Sequence, residues 1–194
     1  MDALTFLRGD HESVLGMLES LERGTPQSRR QQDLYSEMVT SLIIAESQHE
    51  AVEEQYFWPA VRRALPEGDE LADTAIDQED RAKVLLQELE QQPVGSDYFQ
   101  ALLTQFISAA RAHITFEQDE VWPRFAAAQT PQELERLGQK MAAAKKLAPT
   151  RPHPDTPSDP AALKTAGLVA AAADKVRDMV RGRSRLNPPD PPAP

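Results

Sequence analysis

The chain has 194 residues, of which 40% are hydrophobic and 6% aromatic, with no cysteine and a formal net charge of −10. The lack of cysteine excludes disulfides, thiolate metal sites, iron–sulfur clusters and cysteine nucleophiles. The negative charge argues against nucleic acid as a partner. No run of about 20 apolar residues is present that could cross a membrane. The start, Met1-Asp2-Ala3-Leu4-Thr5, lacks the basic and apolar regions of a secretory signal, so a cytoplasmic protein is expected. The charge is uneven: residues 148–194 carry a net of +2 and residues 1–147 a net of −12, an acidic body with a basic tail.

Four helical patterns fill the first 127 residues. Helix 1 has Leu4, Leu7, Val14, Leu18 and Leu21 at three-four spacing and ends at Gly24-Thr25-Pro26. Helix 2 starts near Arg29 and carries Leu34, Met38, Leu42, Ala45, Val52 and Tyr56; Pro59 is expected to kink or stop it. After the break Leu65-Pro66-Glu67-Gly68-Asp69, helix 3 aligns Leu71, Ala75, Ala82, Leu86 and Leu89. Gln92-Pro93-Val94-Gly95-Ser96 separates it from helix 4, with Leu102, Phe106, Ala109, Phe116 and Val121 before Pro123. Long helices with short connections predict an all-α, up-down-up-down four-helix bundle. A shorter helix follows, from Pro131 to about Leu147, completing a unit over 1–147. A Pro-rich linker is expected at 148–160, a basic amphipathic helix at 161–186 and a disordered tail at 187–194.

Filling the gaps in these stripes exposes a second pattern. Helix 1 steps through position 11, which is His11, and helix 2 through His49, with Glu53 one turn on. Helix 3 steps through Glu79, and helix 4 through His113, with Glu117 one turn on. All four helices therefore turn an ionisable group inward near mid-length. Buried carboxylates cost several kcal/mol each without a counter-charge, and the stripes offer no Lys or Arg, so a metal cluster is expected among them.

The chain also repeats itself. His49-x-x-x-Glu53 followed by Trp58-Pro59 recurs with identical spacing as His113-x-x-x-Glu117 followed by Trp122-Pro123, 64 residues later. In this register Glu79 takes the place that His11 has in the first copy. Three imidazoles and three carboxylates form a sulfur-free donor set that suits iron, or alternatively manganese, better than structural zinc. Two inward carboxylates can bridge two metals.

Other polar and aromatic residues read more plainly. Trp58, Trp122, Phe57 and Phe125 are expected to pack the end of the bundle. Tyr56, one turn past Glu53, is a candidate to approach the site, with a core aromatic as the equal alternative. Glu46, Glu50, Glu54, Asp119 and Glu120 read as solvated faces, Glu50 and Glu54 lying close enough in sequence to support the ligands. His153 reads as exposed in the linker.

The pattern is similar to the hemerythrin-like (HHE cation-binding) family, whose signature is a His on helix 1, His-x-x-x-Glu on helix 2, a His on helix 3 and His-x-x-x-Glu on helix 4. The match covers about residues 1–127. The resemblance implies that His11, His49 and His113 are terminal ligands of two non-haem iron ions, that Glu53 and Glu117 bridge them, and that the centre handles O2, H2O2 or NO, or senses oxygen or iron. It leaves open whether the protein is an enzyme consuming peroxide or NO. The chain departs from the signature on helix 3, where the two histidine positions of annelid-type hemerythrins hold Glu79 and Lys83. An anionic, harder ligand favours ferric iron, so the expectation is an oxidised, reactive centre instead of a reversible oxygen carrier; the alternative is that Glu79 does not bind, leaving one iron under-ligated or absent.

The helix expected at 161–186 places Leu163, Ala166, Val169, Ala173, Val176 and Val180 on one face. It is expected to dock on the acidic bundle, on a second copy or on a partner; a membrane anchor is the weaker alternative because bulky aromatics are missing.

Overall fold

The computed structural model describes residues 1–24, 26, 28–154, 169–175, 177 and 178, and its described residues contain helices and no strand. Helix α1 spans Ala3–Glu22 and starts where the Asp2 carboxylate accepts from the Thr5 N–H at 2.9 Å. Helix α2, Arg29–Val52, is capped by Ser28 and runs without a break into a π-helical turn, Glu53–Phe57 (π1), and then α3, Trp58–Ala64. Helix α4 spans Gly68–Gln91. Helix α5, Asp97–Phe116, capped by Ser96, likewise passes through a π turn, Glu117–Val121 (π2), into α6, Trp122–Ala127. Helix α7, Pro131–Lys145, opens with a capping box between Thr130 and Glu133.

Two apolar clusters show how these rods run. One holds Val14, Met17, Leu18 and Leu21 of α1, Val39, Leu42 and Ile43 of α2, Leu86 and Leu89 of α4, and Phe99, Leu102 and Phe106 of α5. The other holds Ala3, Phe6 and Leu7, then Val52, Phe57, Trp58 and Val61, then Leu71, Ala72 and Ala75, then Val121, Trp122 and Phe125. Followed along the chain, α1 runs from the second cluster to the first, α2–π1–α3 returns, α4 goes forward and α5–π2–α6 returns. The alternation is the expected up-down-up-down bundle. His11, His49, Glu53, Glu79, His113 and Glu117 all fall between the two clusters. They form a polar layer across an otherwise apolar core.

The prolines explain the π turns. A proline inside an α-helix lacks an N–H and its ring collides with the carbonyl four residues back. Here Trp58 donates its N–H to Glu53 O and Trp122 to Glu117 O, five residues back in each case. The widened turn relieves the collision at Pro59 and Pro123, and both rods continue. Pro59 therefore neither stops the helix nor ends its packing, and each π turn begins on a Glu of the repeat, in keeping with the frequent placement of such turns at functional sites.

Two glycines allow close approaches. A Cβ on Gly138 would come within 2.6 to 2.7 Å of the backbone of residues 1–3, so α7 can seat itself on the start of α1 only with glycine there. A Cβ on Gly68 would lie 2.4 Å from Val61 O, where α4 leaves α3.

The segment expected as a linker is packed where it is described. Ala148, Thr150, Arg151 and Pro152 are buried. The chain is helical again at 169–175 and at 177–178. The face expected to be apolar there is turned outward: Val169 is 72% exposed and Ala173 is exposed, while Ala171 and Asp174 are buried. Of the residues expected on that face, Leu163, Ala166, Val176 and Val180 lie outside the described residues, as does the tail at 187–194.

Candidate metal centre

The polar layer contains two groups of donor atoms. His11, His49, Glu53 and Glu117 form one; Glu53, Glu79, His113 and Glu117 form the other; within each group the donor atoms lie within 4.8 Å of one another. Glu53 and Glu117 belong to both. In the first group His11 Nε2 is 3.1 Å from His49 Nε2 and 3.1 Å from Glu117 Oε2, and His49 Nε2 is 3.2 Å from Glu53 Oε2. In the second, His113 Nε2 is 3.2 Å from Glu117 Oε1 and 4.0 Å from both Glu53 Oε2 and Glu79 Oε1. The two oxygens of Glu117 thus face different histidines. Neighbouring ligands of one ion, each about 2.0–2.2 Å from it, stand roughly 3 Å apart; the spacings of 3.1–3.2 Å match this, and the two of 4.0 Å in the second group are wider.

The donor set fits a cation on its own hydrogen bonding. Both oxygens of Glu53, both of Glu117, Oε2 of Glu79 and Nε2 of His113 are buried and have no hydrogen-bond partner among the described residues. Native proteins leave few such atoms, and each calls for an explanation. Two imidazole Nε2 atoms 3.1 Å apart cannot both offer lone pairs to each other, but both can offer them to one cation.

The outer nitrogens of two of the histidines face acceptors: His113 Nδ1 lies 3.0 Å from Gln78 Oε1 and His49 Nδ1 lies 3.5 Å from Asp10 Oδ2. An acceptor at Nδ1 keeps the proton there and leaves Nε2 free to ligate. His11 Nδ1 differs, lying 3.0 Å from the Gln118 side-chain Nε2, a donor. Asp10 is itself anchored by Lys145 at 2.5 Å. Burial would raise the Asp10 carboxyl, but His49 and Lys145 hold it below its ordinary value.

The electrostatics of the layer are strained. Burial, then repulsion from Glu117, pushes Glu53 well above the carboxylate range, and burial together with Glu54 does the same to Glu79. Burial opposes a charge on His113, but Glu117, Glu53 and Glu79 outweigh it and raise the imidazole well above its usual value. Glu117, flanked by His113 and His11, is held far below its usual value despite its burial. Facing carboxylates that cannot all ionise together are what a bound cation would neutralise.

Several residues play parts that differ from the sequence expectation. Trp58 Nε1 donates to Glu79 Oε1 at 2.5 Å, which leaves Oε2 as the unengaged oxygen. The ring of Trp122 stacks on His11, with centroids 5.0 Å apart and planes 13° from parallel, and Arg8 lies 5.1 Å over the same indole. Both tryptophans therefore touch the layer as well as packing the end of the bundle. For Trp58 the available signal was its place five residues after Glu53 of the repeat, since a buried indole N–H commonly finds a partner; the Trp122 N–H has none among the described residues.

Lys83 supplies the buried cation that the stripes did not show. It is ion-paired to Glu54 and lies 2.8 Å from Asp80. Glu46, Glu50 and Glu54, expected on solvated faces, are all buried, whereas Asp119 and Glu120 are exposed as expected. His153 is not freely exposed: its Nε2 is 3.1 Å from Asp174 Oδ2. Tyr56 packs half-buried against the cluster around Phe57 and Trp58, the core-aromatic alternative.

A small cavity of about 10 Å³ adjoins the layer, walled by His49, His113, Glu46, Glu50, Phe106 and Ile114 among others. It holds roughly one water-sized molecule. Burial raises Glu46 from its ordinary 4.5 to about 7. The folded chain thus keeps this proton up to about pH 7 while the unfolded chain releases it near 4.5, so stability present below 4.5 is lost as the pH rises through that window, by about 3 kcal/mol. In metal-free protein Glu46→Gln should cancel this loss. Urea midpoints at about pH 4 and pH 8 will then diverge between variant and wild type; parallel behaviour would contradict the assignment.

Comparisons with known proteins agree with the geometry. The profile of the hemerythrin HHE cation-binding domain matches residues 2–125. An uncharacterised hemerythrin-like protein of Schizosaccharomyces pombe is 27% identical over 135 residues, covering 69% of this chain and 66% of that one, so the chain spans just under two thirds of this relative's length. The crystal structure of a hemerythrin HHE cation-binding domain-containing protein from Mycobacterium kansasii superposes with a TM-score of 0.64 at 21% identity, over 90% of this chain and 99% of that one; at that identity it bears on the fold. With the bundle, the polar layer and the profile match in agreement, this chain belongs to the hemerythrin HHE cation-binding domain family.

Proposed function

We propose that the chain binds two non-haem iron ions, one beside His11 and His49, the other beside His113 and Glu79, with Glu53 and Glu117 shared, and that the pair reacts with H2O2, O2 or NO. The observation that carries this reading is the double membership of the two glutamates, above all the opposed oxygens of Glu117. A bound iron pair supplies redox chemistry toward small oxidants. The protein supplies the rest. Asp10, Gln78 and Gln118 orient the imidazoles, Trp58 orients Glu79, and the apolar clusters on either side keep bulk water from the layer. Manganese suits the same donors. A cytoplasmic setting is part of the proposal; among the described residues no helix is long and apolar enough to cross a membrane.

Metal analysis of the purified protein, with a near-ultraviolet oxo-bridge absorption band, tests the centre. Consumption of hydrogen peroxide by iron-loaded protein tests the reaction. Iron-loaded protein that consumes no peroxide, O2 or NO favours the alternative, an oxygen or iron sensor. The anionic Glu79 should also lower the midpoint potential by stabilising ferric iron. Glu79→His is therefore expected to raise it, and Glu79→Ala to release metal. An unchanged potential in the first variant and unchanged metal content and spectrum in the second would remove Glu79 from the ligand set.

A further inference from the structure

A second cavity, of about 40 Å³, lies outside the first and shares Glu50 with it. Its inner wall is Ser47, Glu50, Glu54 and Lys83; its outer wall includes Arg151 and His153. Glu50 is 3% exposed, and its Oε2 and the buried Ser47 Oγ have no hydrogen-bond partner among the described residues. Partnerless polar atoms beside a space of this size call for a small hydrogen-bonding guest. The Lys83 ammonium is balanced by Glu54 and Asp80, so the space favours a neutral guest over an ion, which would have to shed its hydration.

The outer wall is built to stay shut. Asp174, fully buried, accepts from the N–H groups of Thr150 and Arg151 at 3.0 and 3.1 Å and lies 3.1 Å from His153 Nε2. The Arg151 guanidinium reaches Glu90 on α4 and Asp178 on the C-terminal helix. These contacts hold residues 149–153 across a face of α2 that its own pattern would leave in water.

We infer that this outer cavity is a vestibule through which small neutral hydrogen-bonding molecules, hydrogen peroxide being the representative, reach the metal layer past Glu50, and that the Asp174 clasp is its cover. The inference rests on the proposed metal centre. Asp174→Ala in the full chain removes the acceptor from two buried N–H groups, so the cover should open about tenfold more often. Ser47→Leu fills the vestibule instead. In metal-free protein, Asp174→Ala should speed hydrogen exchange of residues 46–54. In metal-loaded, chemically reduced protein, stopped-flow absorbance should show roughly tenfold faster reaction with hydrogen peroxide for Asp174→Ala and roughly tenfold slower reaction for Ser47→Leu. Unchanged exchange in the first variant, or unchanged peroxide rates in both at full metal content, overturns the vestibule. Wild-type protein that carries no metal overturns the metal centre along with it, and metal analysis tells the two failures apart.

Discussion

Glu117→Ala protein should lose metal from both halves of the layer, and Glu53→Ala should match it, whereas His11→Ala should empty one half first. The contrast follows from geometry. Glu53 and Glu117 are the two residues common to both donor groups, and Glu117 turns one oxygen to His11 and the other to His113. Even residues that only orient a metal ligand are worth about 10–100-fold in metal affinity, so removing a shared ligand should exceed about 100-fold at each ion. Metal content per chain after dialysis, with absorption spectra, reads the result. A Glu117→Ala protein that keeps its full metal complement would end the bridging assignment.

Stability should move the other way in the same series. In the metal-free chain, Glu53 is fully buried, has no hydrogen-bond partner among the described residues and is pushed well above the carboxylate range by burial and by Glu117. Glu53→Gln keeps its shape and removes the charge. The metal-free variant should therefore melt higher than metal-free wild type, while losing the stabilisation that bound metal adds by mass action. Functional sites commonly carry such a cost in stability. Melting curves with and without metal would show the order of the two proteins inverted.

Lys83→Leu should destabilise the fold by about 3–5 kcal/mol, the cost of stripping one partner from a buried ion pair. Glu54 and Glu50 are both buried, and Lys83 is the cation ion-paired to Glu54. Burial disfavours the ammonium, but Glu54, Glu50 and Glu79 more than compensate and raise its pKa above the ordinary 10.5. A raised lysine contributes below its unfolded value and is lost only as the pH climbs through the folded one, so the penalty should be constant from neutral to mildly alkaline pH and shrink in acid, where the orphaned carboxylates take up protons. Adding Glu54→Gln to Lys83→Leu should recover much of it, because the orphaned charge is then gone. Denaturant titrations of the two single variants and the pair complete the cycle. A Lys83→Leu cost below about 1 kcal/mol would mark the pair as effectively solvated.

The bundle and the buried polar layer were legible because both are periodic. Three-four spacing determines which residues share a helix face, and His11, His49, Glu79 and His113 occupy positions that the apolar stripes leave for the core. The duplicated His-x-x-x-Glu followed by Trp-Pro marked the two glutamates in the same way. These are local regularities, carried by residues within a few turns of one another.

What stayed hidden depends on contacts between distant parts of the chain. Glu50 on α2 and Glu54 on π1 look solvated by themselves; they are buried, and Arg151, Pro152 and His153, about a hundred residues away, line the same cavity. Lys83 enters the polar layer because α4 packs beside α2, a neighbour its own stripe does not reveal. The bond from Trp58 to Glu79 joins two rods, and the π turns that carry the rods past Pro59 and Pro123 answer a steric conflict that periodicity does not register. By itself the sequence determined the four rods and the six inward polar residues, since helical periodicity is a one-dimensional property. The tertiary structure decided which of those residues stand together, which charges are balanced and which face the C-terminal segment closes, because distance, burial and charge compensation exist only once the rods are packed.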